Sequence, residues 1–216
     1  MNEKKLMDPQ DFDQWSAKYD EDVKRSDDSN QYPFVAYEEI LDEIQKEIQK
    51  LPGKKLLDLG FGTGKLSVRL YQSGYNITGI DFSEEMIKKA QYLMPNAKLI
   101  SFDFSQGLPK TLDEESFDGI IFTYSIHHLN LEQQIHLLNT LKHHLRPHGK
   151  IIIGDVMTRT QQEMNDAKEK HPDIWDDEEF YIVTEALQAR LPQDSIFFSK
   201  KSYCSGILIL ESPSNP

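Results

Sequence analysis

The 216-residue chain has a single cysteine, Cys204, which excludes an internal disulfide and a multi-cysteine zinc site. It sits in an apolar, strand-like segment, so it reads as a buried, inert thiol. There is no apolar run of membrane-spanning length. The first residues, Met1-Asn2-Glu3-Lys4-Lys5, lead into polar sequence without the apolar stretch of a secretory signal. Positive charge is also scarce. Against 36 Asp and Glu stand 24 Lys and Arg, a formal net charge of −12, and no dense Lys/Arg cluster is present. A nucleic-acid partner is therefore disfavoured, because phosphates need neutralising. No Gly-x-Ser-x-Gly run occurs, so no serine nucleophile elbow is expected. A cytoplasmic protein of one domain, monomer or homodimer, is the expectation.

What is present is an alternation of strand and helix patterns. Tyr37, Ile40, Leu41, Ile44, Ile48 and Leu51 recur at three- and four-residue steps within a helical stretch from Pro33 to Leu51, which Pro52-Gly53 stops. Strands are expected at Leu56–Leu59, Asn76–Ile80, Ala97–Phe102, Phe117–Thr123 and Lys150–Gly154. Helices are expected after the glycine-rich turn to about Ser73, from an N-cap at Ser83 to about Met94, and from Leu131 to Leu145. The last of these opens on an Asn130/Gln133 capping box. Arg146-Pro147-His148-Gly149 reads as a turn. Ile196–Tyr203 and Ser205–Leu210 have almost nothing between them, so only an antiparallel hairpin fits. The predicted fold is α/β: a Rossmann-like, doubly wound, mostly parallel seven-stranded sheet with a C-terminal antiparallel hairpin. Within one domain spanning 1–216, residues 1–32 form an N-terminal segment, 54–155 a ligand-binding core and 156–193 a helical insertion.

The functional signal lies in Asp58-Leu59-Gly60-Phe61-Gly62-Thr63-Gly64. A buried strand, a glycine turn and a helix start follow one another, which is where open α/β sheets place a nucleotide-like ligand. The spacing is G-x-G-x-G. A dinucleotide fingerprint would need its third glycine where Lys65 stands, and no phosphate-binding lysine with a following Ser or Thr is present. Asp58 is badly placed for a pyrophosphate and suits a ligand bearing an ammonium group. These residues resemble the first motif of class I S-adenosylmethionine-dependent methyltransferases. Asp81 at the end of the second strand and Asp103 at the end of the third continue the resemblance, which covers about residues 54–155. Phe61 departs from it, since smaller residues are common there.

The resemblance implies a cofactor, S-adenosylmethionine, leaving as S-adenosylhomocysteine. It implies binding by Asp58, Gly60, Phe61, Gly62 and Gly64, by Asp81 at the ribose, by Asp103 at the adenine amino group, and by Phe82 and Phe104 at the base. Tyr124 borders the transferred group. Phe12-Asp13-Gln14-Trp15 and Tyr19-Asp20 are similar to a segment that folds over the cofactor in many members, placing Trp15 and Tyr19 in a lid. Thr123-Tyr124-Ser125-Ile126-His127-His128-Leu129 is similar to small-molecule methyltransferases, including relatives of quinone-ring C-methyltransferases. The Asn/Asp-Pro-Pro-aromatic signature of base and amide methylation is absent. His127 and His128 are the candidate bases for an acceptor that must lose a proton.

No metal is expected: His136 and His143 lie on a predicted helix with no carboxylates at ligand spacing. The acid-rich stretch 161–181 reads as a solvated face, with a cationic acceptor as the alternative, and Trp175, Phe180 and Tyr181 there either line a pocket or anchor the helix to the core. Two alternatives remain open: a cofactor-binding sensor without catalysis, and an NAD-dependent oxidoreductase.

Overall fold

The computed structural model describes residues 19–211. The first two helices are α1 (Tyr19–Asp28) and α2 (Tyr37–Gln49). The alternating part follows as β1 (Lys55–Leu59), α3 (Lys65–Gln72), β2 (Asn76–Asp81), α4 (Glu84–Leu93), β3 (Lys98–Ser101), β4 (Phe117–Thr123), α5 (Leu131–Lys142) and β5 (Leu145–Thr158). The chain continues through α6 (Gln161–Lys170), β6 (Ile182–Val183), α7 (Thr184–Arg190), β7 (Ser195–Lys200) and β8 (Ser205–Glu211). The strands run in the order β3-β2-β1-β4-β5-β8-β7, and the short β6 pairs with the end of β5. β1 to β5 are parallel to one another, whereas β8 is antiparallel to both β5 and β7. The predicted doubly wound sheet with its C-terminal hairpin is the fold observed, with β6 as an added two-residue strand.

Side-chain parity assigns each strand residue to one face. Leu57, Leu59, Ile120, Phe122, Ile151 and Ile153 pack with the face that α5 and α7 cover. Leu56, Ile121, Ile152 and Val156 pack on the other face, with α2 and α3. Strands buried on both faces read as near-continuous apolar runs, as β4 does. α2 turns Tyr37, Ile40, Leu41, Ile44 and Ile48 inward, the residues its periodicity singled out. It approaches closely at Gly154, where a β-carbon would lie 2.5 Å from Ile40 Cγ2.

Several boundaries differ from expectation. α2 begins at Tyr37 and not Pro33, because Ala36 is left-handed and the cap comes from elsewhere. The Asp27 carboxylate of α1 accepts from the N–H groups of Tyr37 and Glu38 at 3.0 and 3.2 Å. α5 stops at Lys142. Arg146 to Gly149 belong to β5 as an irregular stretch, since Phe117 pairs with Leu145 while Gly119 pairs with Lys150. Asn130 and Gln133 do form a capping box, and Ser83 accepts from Met86 N–H. Thr160 and Glu163 form a second capping box that the acid-rich composition had obscured. Cys204 is buried, and burial raises its thiol pKa to about 11, so it carries negligible thiolate near neutrality. No helix among the described residues is long and apolar enough to cross a membrane.

Candidate active site

A cleft opens along the carboxyl ends of the parallel strands. Residues 60–63 after β1, Asp81 and Phe82 at the end of β2, Phe104 after β3, and Thr123, Tyr124, Ser125, His127 and His128 after β4 all line it. Two further segments complete the wall. Tyr32, Pro33, Phe34 and Tyr37 lead into α2, and Asp176, Glu179 and Tyr181 precede β6.

The glycine turn is held from below. Gly60 N–H donates to the Ile80 carbonyl at 2.7 Å, and Gly62 N–H donates to Asp81 Oδ2 at 2.8 Å. Gly60, Gly62 and Gly64 all have positive φ. At Gly60 a β-carbon would lie 2.5 Å from Ser125 Cβ, so that position is closed by packing. At Gly62 a β-carbon would meet nothing within 4 Å; it would project into the open cleft. Phe61 is buried against β2, and Gly79 makes room for it, since a β-carbon there would lie 2.6 Å from the ring. The large residue at 61 is thus matched by the absence of a side chain at 79.

Asp58, the penultimate residue of β1, faces the α3 side. It is 2% exposed, and its Oδ2 accepts from Ser67 Oγ at 2.6 Å. Its Oδ1 is buried without a hydrogen-bond partner. Burial pushes the Asp58 pKa up to about 7; the Ser67 hydrogen bond opposes the shift and the charge of Asp81 adds to it. Asp81 is also buried, with Oδ1 accepting from Ser83 N–H at 2.9 Å. Asp103 accepts from Ser105 N–H at 2.9 Å and caps a short 3₁₀ turn. Its neighbour Phe104 lines the cleft, while Asp103 and Gly64 are not among the lining residues.

Tyr124 has φ of +50°, a costly conformation for a bulky residue and one found where a site imposes it. Its ring packs against both Phe34 and Tyr37, at centroid distances of 5.1 and 5.3 Å. His127 Nδ1 lies 2.6 Å from Asp155 Oδ1, and His128 Nδ1 lies 3.1 Å from Glu179 Oε2. Burial alone would lower the His127 pKa. The Asp155 charge and hydrogen bond, with Glu179 and Asp176, outweigh it and raise the pKa. The structure therefore brings together Asp58, the turn, Asp81, Phe82, Phe104, Tyr124 and both histidines. Trp15 lies outside the described residues. Tyr19 opens α1.

Sequence reasoning missed Asp155, Glu179 and Tyr32 as site residues. Asp155 stands one residue past the expected end of its strand, and the others lie far from the glycine turn along the chain. The acid-rich insertion hinted at Glu179 alone.

A family model described as a methyltransferase domain matches residues 56–149. An uncharacterized methyltransferase of Alkaliphilus oremlandii (strain OhILAs) is 35% identical over 152 residues, covering 70% of this chain and 68% of that one. Another, of Geobacillus kaustophilus (strain HTA426), is 31% identical over 184 residues, 82% of each. The chain belongs to the class I methyltransferase family. In fold, the methyltransferase is similar to the magnesium protoporphyrin IX methyltransferase of Synechocystis PCC 6803, whose structure carries bound S-adenosylhomocysteine. The TM-score is 0.68 at 19% identity, over 95% of this chain and 100% of that one.

Proposed function

We propose that this methyltransferase uses S-adenosylmethionine to methylate a small-molecule acceptor by in-line displacement, releasing S-adenosylhomocysteine. The observation that carries the reading is Asp58: a buried carboxylate lining the cleft, with one oxygen held by Ser67 and the other unpartnered. A cationic ammonium group satisfies that oxygen, whereas a pyrophosphate would be repelled. The open space at Gly62 fits the same ligand, because a side chain there would fill it.

In this reading the turn Gly60-Phe61-Gly62, continuing to Gly64, holds the amino-acid end of the cofactor against Asp58. Asp81 already fixes the turn and retains acceptor capacity for ribose hydroxyls. Phe82 and Phe104 cover the base, and Asp103, which caps the turn carrying Phe104, positions that ring beside it. Tyr124 borders the transfer point. When bound, the cofactor supplies an activated methyl carbon, so no protein nucleophile is needed. The chain's own contribution is to hold the acceptor in line, worth on the order of 7–11 kcal/mol at best, and to exclude water. Phe34, Tyr37 and Tyr124 form an aromatic wall suited to that exclusion. The N-terminal segment 1–32, with Trp15 and Tyr19, contributes a cover for the cofactor, anchored in the core by Val23 of α1.

Calorimetry with S-adenosylmethionine, S-adenosylhomocysteine and NAD, titrated separately, tests the cofactor. Binding of the first two alone supports the reading, and binding of NAD alone overturns it. Methyl release on a metabolite extract then separates the enzyme from a cofactor-binding sensor.

A further inference from the structure

We infer that His127, His128 and Glu179 form a binding site for one divalent first-row transition-metal ion beside the cofactor cleft. The three residues come from two distant segments, yet one ligating atom from each lies within 4.8 Å of the others. Two imidazoles and a carboxylate are a donor set for Zn²⁺, Fe²⁺ or Mn²⁺. Bonds of about 2.1 Å place the ligands of a tetrahedral ion roughly 3.4 Å apart, so a small contraction closes the set. His128 Nδ1 and Glu179 Oε2, at 3.1 Å, already stand at such a separation.

Two further features fit a built site. The first is the carboxylate behind His127. Asp155 is fully buried in β5, and its Oδ1 takes Nδ1 of the ring. Nε2 is then the remaining ligating nitrogen of a ring that lines the cleft. Orientation of a metal-binding imidazole by a buried carboxylate is the usual outer arrangement of such sites. The second is the clamp between the two segments. Phe180 N–H donates to the His127 carbonyl at 2.8 Å. The side-chain amide of Gln134, itself buried, donates to the carbonyls of Leu129 and Phe180 at 2.8 and 2.9 Å. The histidine turn and the residue after Glu179 are thereby tied to one α5 side chain. A surface coincidence of histidines needs no such tie.

The three ligands are half-buried and open to the cleft, which leaves coordination positions for water or an acceptor, as in catalytic rather than structural metal sites. What the ion does rests on the methyl-transfer reading above. An acceptor O–H or S–H would give its proton to water on coordination. Its lone pair would then form the bond to the methyl carbon as the carbon–sulfur pair passes to sulfur.

Ion binding is tested apart from transfer. The full chain, stripped with chelator, is titrated with Zn²⁺ by calorimetry and with Co²⁺ by visible absorption. S-adenosylhomocysteine affinity is measured on the same samples. One Zn²⁺ per chain at micromolar affinity or tighter is expected, with a Co²⁺ d–d band. Glu179→Gln and His127→Gln should each weaken binding at least tenfold, Asp155→Asn about 10- to 100-fold, and the exposed His136→Gln not at all. Variants that still bind S-adenosylhomocysteine are folded. Wild-type protein that binds S-adenosylhomocysteine and no Zn²⁺ overturns the metal site and leaves the histidines to act on protons alone. Zn²⁺ binding that is indifferent to Glu179→Gln overturns it as well. Failure to bind S-adenosylhomocysteine sinks the methyltransferase reading without touching the metal result.

Discussion

Asp81 accepts a hydrogen bond from the backbone N–H of Gly62, joining the end of the second strand to the glycine turn that follows the first. The same carboxylate holds the entry to α4 through Ser83 N–H. One side chain thus sets the relative position of two cofactor-facing loops.

Asp81→Asn should lower both stability and cofactor affinity. An amide has one acceptor oxygen, so one of the two N–H groups loses its partner, at a cost of about 1–3 kcal/mol. S-adenosylhomocysteine affinity should fall at least tenfold. Denaturant melts and calorimetry on the same protein check both parts; unchanged affinity would remove Asp81 from the site.

Asp58 should make cofactor binding and stability respond to pH in opposite senses. Its pKa of about 7 lies above the ordinary carboxylate value of roughly 4, so the folded state binds its proton more tightly than the unfolded chain. Its contribution to stability is fully present below about pH 4, and is lost as pH rises toward and through 7. Asp58→Asn removes that dependence. The ligand-free variant should therefore be more stable than wild type at pH 8, by about 2–4 kcal/mol, and nearly equal at pH 4.5. An ammonium ligand favours the ionised carboxylate, so wild-type affinity for S-adenosylmethionine should fall about tenfold per pH unit below 7. The variant should bind weakly at every pH. Thermal melts and titrations at matched pH decide this, and a variant less stable than wild type at pH 8 refutes it.

Gly60→Ala and Gly62→Ala should fail for different reasons. Both have positive φ, which costs a non-glycine residue roughly 1–2 kcal/mol. At Gly60 the added carbon also strikes Ser125, so overall stability should drop further. At Gly62 the carbon enters open cleft, so stability should fall by about 1 kcal/mol while cofactor affinity falls tenfold or more. Comparing melting and binding for the two variants separates turn geometry from ligand space.

Phe61 and Gly79 should be energetically coupled. Gly79→Ala places a β-carbon 2.6 Å from the Phe61 ring and 2.9 Å from Leu99, overpacking worth about 1–3 kcal/mol. Phe61→Leu should relieve part of that loss, and a double-mutant cycle would show a favourable interaction energy. Strict additivity would mean that the two sites do not share the space assigned to them.

Removing residues 1–18 should weaken S-adenosylmethionine binding while leaving the domain folded. The cut stops before α1, whose Val23 is 1% exposed and belongs to the core. Normal affinity in the truncated protein would remove the lid.

Much of this protein was legible along the chain because the evidence for it is local. Apolar periodicity marked α2. The short gap before Ser205 required a hairpin, and the G-x-G-x-G turn behind Asp58 counted against a pyrophosphate by spacing and charge. These are short-range consequences of sterics and hydrogen bonding, so neighbouring residues suffice to read them. The cap of α2 by Asp27, the fit of Phe61 over Gly79, and the meeting of His127 and His128 with Asp155 and Glu179 depend instead on which segments the sheet order brings together. Glu179 lies 51 residues beyond His128, inside a stretch whose composition is that of an ordinary solvated surface. Nothing in its own neighbourhood distinguishes it from the acids around it. Packing of β6 against the end of β5, and the clamp through Gln134, turn that one carboxylate toward the histidines.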